Sequence, residues 1–345
     1  MTLSDGAWQR VYDGARADLA ALPTLEVTED YRIAPPRDGY YNVDLSPGWA
    51  GEIVSLWVPE VVEANVRDEL PNGVRVPRTR LPAAAPATVC VHSRDGTRTV
   101  DLDRLELDNC YVQPMPDGQI LVVGARCKYS VEAGAERNAA LYDAGGALIR
   151  TGTLGDGIKA VRCTEAGDIW VGYFDEGVFG NNGWGASHGR APIGSSGLVR
   201  FDATLQQVWE CTLASLGWNP ISDCYALELA GAEVWLCYYT DFNVARIREG
   251  EVSVWINETV AGARSLAVSG EHVGLIGGYL GEHDRIVIGR LADYKFHIES
   301  QARIVLPGGA ELPQSYVAGG NGEITIVTDD GKVYRADFAD WIGRR

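Results

Sequence analysis

At 345 residues, with 46% hydrophobic and 22% charged content, the chain has the make-up of a folded globular protein, which excludes general disorder. A net charge of −17 with no basic run argues against nucleic acid and against an acidic membrane surface as partners. The same charge suits solubility and attraction of cationic ligands.

Residues 1–22 read as a short amphipathic helix, with Trp8, Val11, Tyr12, Ala15 and Leu19 at helical spacing. The segment has no positive leader and no long apolar core, so no secretory signal is expected, and no run approaches the ~18 apolar residues of a membrane span. Seven cysteines, an odd number with no CxxC pair, fit reduced structural thiols in a cytoplasmic protein. Cys110, Cys163, Cys224 and Cys237 fall inside predicted strands, where a thiol acts as a small buried hydrophobe.

From Leu25 onward one pattern recurs: a small or polar turn, then Ile or Val opening an apolar run. The anchors are Ile53, Ile120, Ile169, Val234, Val273 and Ile324, separated by 67, 49, 65, 39 and 51 residues. That rhythm is the size of a four-stranded propeller blade and overrides the two-domain prior for this length. The first unit is the least regular, with strands near Tyr41–Leu45, Ile53–Val58, Thr88–His92 and Thr99–Leu102. The second is clearest: Cys110–Gln113, a Pro116-Asp117-Gly118 turn, Ile120–Gly124, Asn138–Tyr142 and Ala147–Thr151. Units three to five repeat it through Ser300. The sixth supplies three strands, and its missing outer strand is expected from Leu25–Ile33, which would close a single all-β domain over residues 25–345 and cover exposed edges.

The strand rhythm, with recurring pieces such as Leu141-Tyr142-Asp143 and Arg200-Phe201-Asp202, resembles six-bladed propellers of the gluconolactonase, regucalcin and strictosidine-synthase-like kind, and the looser NHL and YncE-like repeats. The resemblance implies a site at the mouth of the central channel, hydrolysis of a lactone or ester or a lyase or isomerase step, and one divalent cation, calcium favoured, held by Glu, Asn and Asp. No clear counterpart of that family's Glu occurs here. No dinucleotide, Walker or nucleophile-elbow motif is present, so no nucleotide cofactor is expected.

Eleven residues before each anchor, the entry to the first strand carries Asn42, Asn109 and Asp223, with Asp156 just before the third unit's position. These oxygens are the candidate cation ligands; turn-capping through Asx hydrogen bonds is the alternative. The loops after the second strands carry Asp175, Glu176 and Asp241 as candidate acids or bases, with His283 beside two further carboxylates. Aromatic pairs Tyr173-Phe174 and Tyr238-Tyr239 precede those carboxylates and suggest a pocket wall. Arg126, Lys159 and Arg264 are candidates for stabilising negative charge. The glycine-rich stretch from Tyr173 to Ser196, with Trp184, His188 and Arg190, reads as a recognition loop or lid, or else as a self-packed plug. Two functions follow as expectations. One is an enzyme for a small-molecule substrate, monomeric or weakly self-associating. The other is a non-catalytic platform for protein or sugar, using Trp184, Tyr239 and Tyr279 as exposed anchors.

Overall fold

The computed structural model describes residues 14, 16–69, 73, 75–185, 189–279 and 281–344. The fold is an all-β, six-bladed propeller of four-stranded antiparallel blades. Contacts group the chain into two units, residues 34–224 and residues 1–33 with 225–345. Among the described residues no helix is long and apolar enough to cross a membrane. Most of the expected N-terminal helix lies outside the described residues; within them residues 16–20 are helical and Leu19 is buried.

In the unit 34–224, blade one is Tyr40–Pro47, Ile53–Pro59, Arg80–Ser93 and Gly96–Leu107. Blade two is Cys110–Pro114, Ile120–Gly124, Ala139–Tyr142 and Leu148–Gly152. Blade three is Ile158–Cys163, Ile169–Tyr173, Leu198–Phe201 and Gln207–Glu210. Blade one departs from expectation by a long outer hairpin, whose strands pair from Arg80↔Leu107 to Ser93↔Gly96 with two register shifts.

In the other unit, blade four is Asp223–Ala230, Glu233–Tyr239, Asn243–Arg248 and Glu251–Trp255; its first two residues fall in the unit 34–224. Blade five is Ser265–Ser269, His272–Ile276, Arg285–Ala292 and Lys295–Leu306, extended by Thr24–Glu26 pairing parallel to its outer strand. Blade six is Tyr316–Gly320, Glu323–Val327, Lys332–Asp337 and, as its fourth strand, Thr28–Arg32 running antiparallel to Lys332–Asp337. The outer strand expected from Leu25–Ile33 is thus divided between two blades.

Each anchor opens or nearly opens the second strand of its blade, and all six are at most 1% exposed. Burying such a side chain stabilises by about 1.5–3 kcal/mol, which is why the apolar run recurs once per blade. The repeated Asp after the third strand has a turn-making job. Asp143 Oδ1 accepts the N–H groups of Gly145 and Ala147, and Asp202 Oδ1 accepts those of Thr204 and Gln206. These Asx turns close the hairpin between third and fourth strands.

Neighbouring first strands are also stapled through side chains. Gln113 of blade two donates to Pro47 O of blade one at 3.1 Å and accepts from Cys163 N of blade three at 3.0 Å. In the other unit, buried Glu228 accepts from Ser265 Oγ at 3.0 Å and from Gly319 N at 3.4 Å. A side chain that satisfies two backbones fixes the spacing of the strands that present the site.

Candidate functional site

The first strands of blades one to three lie side by side and carry a row of polar residues. Asp44 sits where blade one's first strand bulges, between the pairs Asn42↔Trp57 and Asp44↔Leu56. Its Oδ2 accepts from Val112 N and from Ser46 Oγ, both at 2.8 Å. Burial pushes its carboxyl up to about 7, against those hydrogen bonds and the field of Arg162. Tyr111, on the next first strand, donates to Lys159 O at 2.8 Å, and burial raises its phenol well above the ordinary value. Lys159 is exposed and Arg162 half-buried on the third first strand.

Asp223 completes the row. Its Oδ1 is buried without a hydrogen-bond partner among the described residues. Burial raises its carboxyl, the Lys159 ammonium opposes the rise, and the Asp175 carboxylate adds to it. Two carboxyls held up by burial, beside a phenol and two cations, make a group able to take, hold and return a proton. Asp44, Tyr111 and Arg162 were not singled out from the sequence. Asp44 and Tyr111 lie nine residues before their anchors, one strand repeat inside the position counted, and Arg162 lies seven before its own.

The expected cation ligands have separate tasks. Asn42 Nδ2 donates to Asp44 O and Leu56 O, at 2.9 and 3.2 Å. Asn109 takes a positive φ of 49° and donates to Arg78 O at 2.9 Å. Asp156 is 3% exposed and forms a two-pronged pair with Arg126, Nε to Oδ1 at 3.0 Å and the terminal nitrogen to Oδ2 at 3.1 Å. Its oxygens also accept from Cys127 N and Asn182 Nδ2. Among the described residues no three His, Cys, Asp or Glu are grouped to hold a metal. Of the four, Asp156 has both carboxylate oxygens taken up by Arg126, Cys127 and Asn182.

The stretch from Tyr173 to Ser196 corrects several expectations. It is not a bare loop: Asp175–Phe179 is a short helix. Trp184 is not an exposed anchor but 2% exposed, its indole N–H donating to Cys127 O at 2.8 Å. Tyr173 is fully buried and its hydroxyl donates to Leu154 O, so it cannot face a substrate. Tyr129 N donates to Asn182 O, and Arg190, exposed, lies over the rings of Tyr129 and Trp184. These contacts pack Asn182, Trp184 and Arg190 of the stretch against blade two's loop. Glu176 pairs with Arg126 at 2.5 Å, and Phe174 lies under the same guanidinium. Arg126, Asp156 and Glu176 therefore form a structural ion cluster. Asp175 stays exposed and belongs with Asp223, while His188 lies outside the described residues.

The remaining candidates belong to the other unit. His283 faces backbone carbonyls at both ring nitrogens, Leu312 O at 2.8 Å and Gly281 O at 3.2 Å, which makes it a strut between loops rather than a free acid or base. Arg264 is exposed and shares a cavity of about 70 Å³ with His283. Asp241 is exposed beside an aromatic cluster of Tyr225, Tyr239, Phe242 and Tyr279. The rings of Tyr225, Phe242 and Tyr279 meet edge to face, and the Tyr225 and Tyr279 hydroxyls are 2.6 Å apart. Tyr239 and Tyr279 remain 43% and 44% exposed.

The blades define the class of protein, a six-bladed β-propeller, and comparison with known proteins adds the following. The model of the YxzG family matches residues 195–278, less than half of the chain. No curated protein matches the sequence. Among solved structures, the chain is similar to the β-propeller domain of Cps50 (Swd1) from Myceliophteria thermophila, at 13% identity over 90% of this chain and 99% of that one, with a TM-score of 0.43. It is similar to a luciferin-regenerating enzyme at 12% identity, covering 90% and 94%, with a TM-score of 0.42. The β-propeller domain of the Trilobed protease from Pyrococcus furiosus matches at 10% identity, covering 87% and 82%, with a TM-score of 0.43. At such identities these likenesses bear on neither substrate nor reaction.

Proposed function

We propose that the chain is an enzyme performing acid–base chemistry on a small polar molecule, of hydrolase or lyase/isomerase type, at the row Asp44, Tyr111, Arg162, Lys159 and Asp223. The observation that carries this reading is the placing of a buried carboxyl, in the field of a guanidinium, on adjacent first strands that also present Lys159 and Asp223. Asp44 would accept a proton from water or substrate and return it to the leaving group. Lys159 and Arg162 would stabilise the oxyanion that develops when an ester or lactone carbonyl is attacked. Asp223, with Asp175, would orient a hydroxyl or ammonium group of the substrate. No metal is needed for these steps.

The test is a hydrolysis screen over lactones and esters, followed by Asp44→Asn and Arg162→Met variants whose folding is checked by circular dichroism. Turnover should rise with pH through about 7 in the native chain, as expected for a base of that pKa, and should disappear in both variants. Full activity in Asp44→Asn would sink the reading.

The second reading is a binding platform, and the aromatic cluster of Tyr225, Tyr239, Phe242 and Tyr279 favours it, since exposed tyrosines supply large, rigid contact area. A platform would keep its partner in Asp44→Asn and lose it in Tyr239→Ala and Tyr279→Ala. An enzyme gives the opposite pattern.

A further inference from the structure

The cavity of about 70 Å³ in the unit 1–33 with 225–345 is lined by Arg264, Ser265, His283, Gln314, Ser315 and the apolar wall around Leu312. Its lining contains no carboxylate, although the chain carries a net charge of −17. The acidic residues nearest in sequence are engaged elsewhere. Glu282 pairs with Arg285 at 3.0 Å, Asp284 pairs with Arg16 at 2.6 Å and with Arg303 at 3.6 Å, and Glu311 pairs with Arg16. Glu228 lies behind the wall and accepts the Ser265 hydroxyl.

Arg264 differs from these arginines. Among the described residues it has no ion-pair or side-chain hydrogen-bond partner, yet it borders a partly open cavity. His283 is held beside it by its two backbone carbonyl contacts, Leu312 O at 2.8 Å and Gly281 O at 3.2 Å. The volume is that of about two water molecules, far below the ~300 Å³ of a pocket that engulfs a whole ligand. It suits one small head group whose remainder projects outward past Arg264.

We propose that this cavity is a binding site for an oxyanion head group, a carboxylate or a phosphate, clamped by the Arg264 guanidinium. A planar guanidinium presents two parallel N–H donors to two oxygens of either group, and the carboxylate-free lining removes the repulsion that the rest of the surface would impose. The site lies in the other unit from the proposed catalytic row and does not depend on that row being catalytic.

The test is calorimetric titration of the full chain with sodium acetate and, separately, with inorganic phosphate at constant ionic strength. The wild-type chain should bind at least one anion saturably with one site per chain; acetate alone identifies a carboxylate site, and phosphate alone a phosphate site. Arg264→Gln should weaken that binding at least ten-fold. Arg264→Lys, which keeps the charge but not the fork, should weaken it less. Lys128→Gln removes the same charge from an exposed position in the other unit and should bind like wild type. The proposal is overturned by wild-type chain that binds neither anion, by Arg264→Gln that binds as tightly as wild type, or by Lys128→Gln that loses as much as Arg264→Gln.

Discussion

Asp44→Asn removes a charge and keeps a shape, because the amide oxygen can accept the Val112 N–H and the Ser46 hydroxyl as the carboxylate does. In the folded chain burial lifts this carboxyl to about 7, against about 3.9 in an unfolded chain. Between those values the folded state holds a proton that the unfolded state has released. The stability that Asp44 contributes is therefore fully present below about pH 4 and is lost as the pH rises through about 7. Linkage over that window gives a loss of roughly 2.5 kcal/mol between about pH 5 and about pH 8, an upper value because Asp44 is only half-buried. With an unfolding entropy near 2.1 cal/mol/K per residue, a chain of 345 residues should show this as a fall in Tm of about 3–4 °C. The assay is scanning calorimetry of wild type and Asp44→Asn across that pH range. Other groups titrate in both chains, so the informative quantity is the difference between them, and it should move in favour of Asp44→Asn as the pH rises. A difference that stays constant with pH would refute the burial argument and, with it, the assignment of Asp44 as a base working near neutrality.

Asp156→Ala strands the Arg126 guanidinium with Glu176 as its remaining carboxylate and should cost about 3 kcal/mol in urea unfolding; Arg126→Met combined with it should recover part of that loss. Trp184→Ala removes a fully buried ring and its bond to Cys127 O and should cost about 3–5 kcal/mol, and the emission spectrum should lose a component from an apolar site. All seven cysteines are buried and free, and burial pushes Cys211 and Cys237 up to about 12, so a thiol reagent near pH 8 should label none in the native chain and seven after denaturation. Gly157→Ala puts a methyl group 2.2 Å from Gly177 N at a φ of +65°, which should displace the helix Asp175–Phe179 and lower Tm by several degrees.

The blades were legible because their cause is local. An apolar run that must be buried opens with Ile or Val, and a turn that must reverse the chain carries Asp-Gly or Asx chemistry, as Asp117, Gly118, Asp143 and Asp202 show. The division of the N-terminal strand between Thr24–Glu26 and Thr28–Arg32 was not legible, since one extended run can pair with either blade edge. The site was read less well, for a related reason. Counting from the anchors assumes a constant register, and the bulges between Asn42 and Asp44 and between Ile158 and Ala160 shift which side chains face the same way. The aromatic pairs misled because successive residues of a strand point to opposite faces, so Tyr238 is buried while Tyr239 is exposed, and because Phe174 falls past the end of its strand beneath Arg126.

What separates structural charge from chemical charge in this chain is whether the fold has already used it. Asp156 looked functional by position, but its oxygens accept from Arg126, Cys127 and Asn182, and a carboxylate so fully engaged has little capacity left for a ligand. The cluster instead ties the stretch 173–196 to blade two. Among the described residues, Asp223 keeps a buried oxygen with no donor, Lys159 acts on it through its field, and Asp44 keeps a carboxyl poised to change state near neutral pH. A buried oxygen without a partner costs about 1–3 kcal/mol, and a carboxyl raised to about 7 costs stability at every pH where it must ionise. A fold that leaves such groups on adjacent first strands, while satisfying the neighbouring asparagines and Asp156, holds reactive capacity in one place. Burial that raises Asp44 despite its two hydrogen bonds, and the unpartnered oxygen of Asp223, are the physical ground for proposing these two carboxyls rather than Asp156.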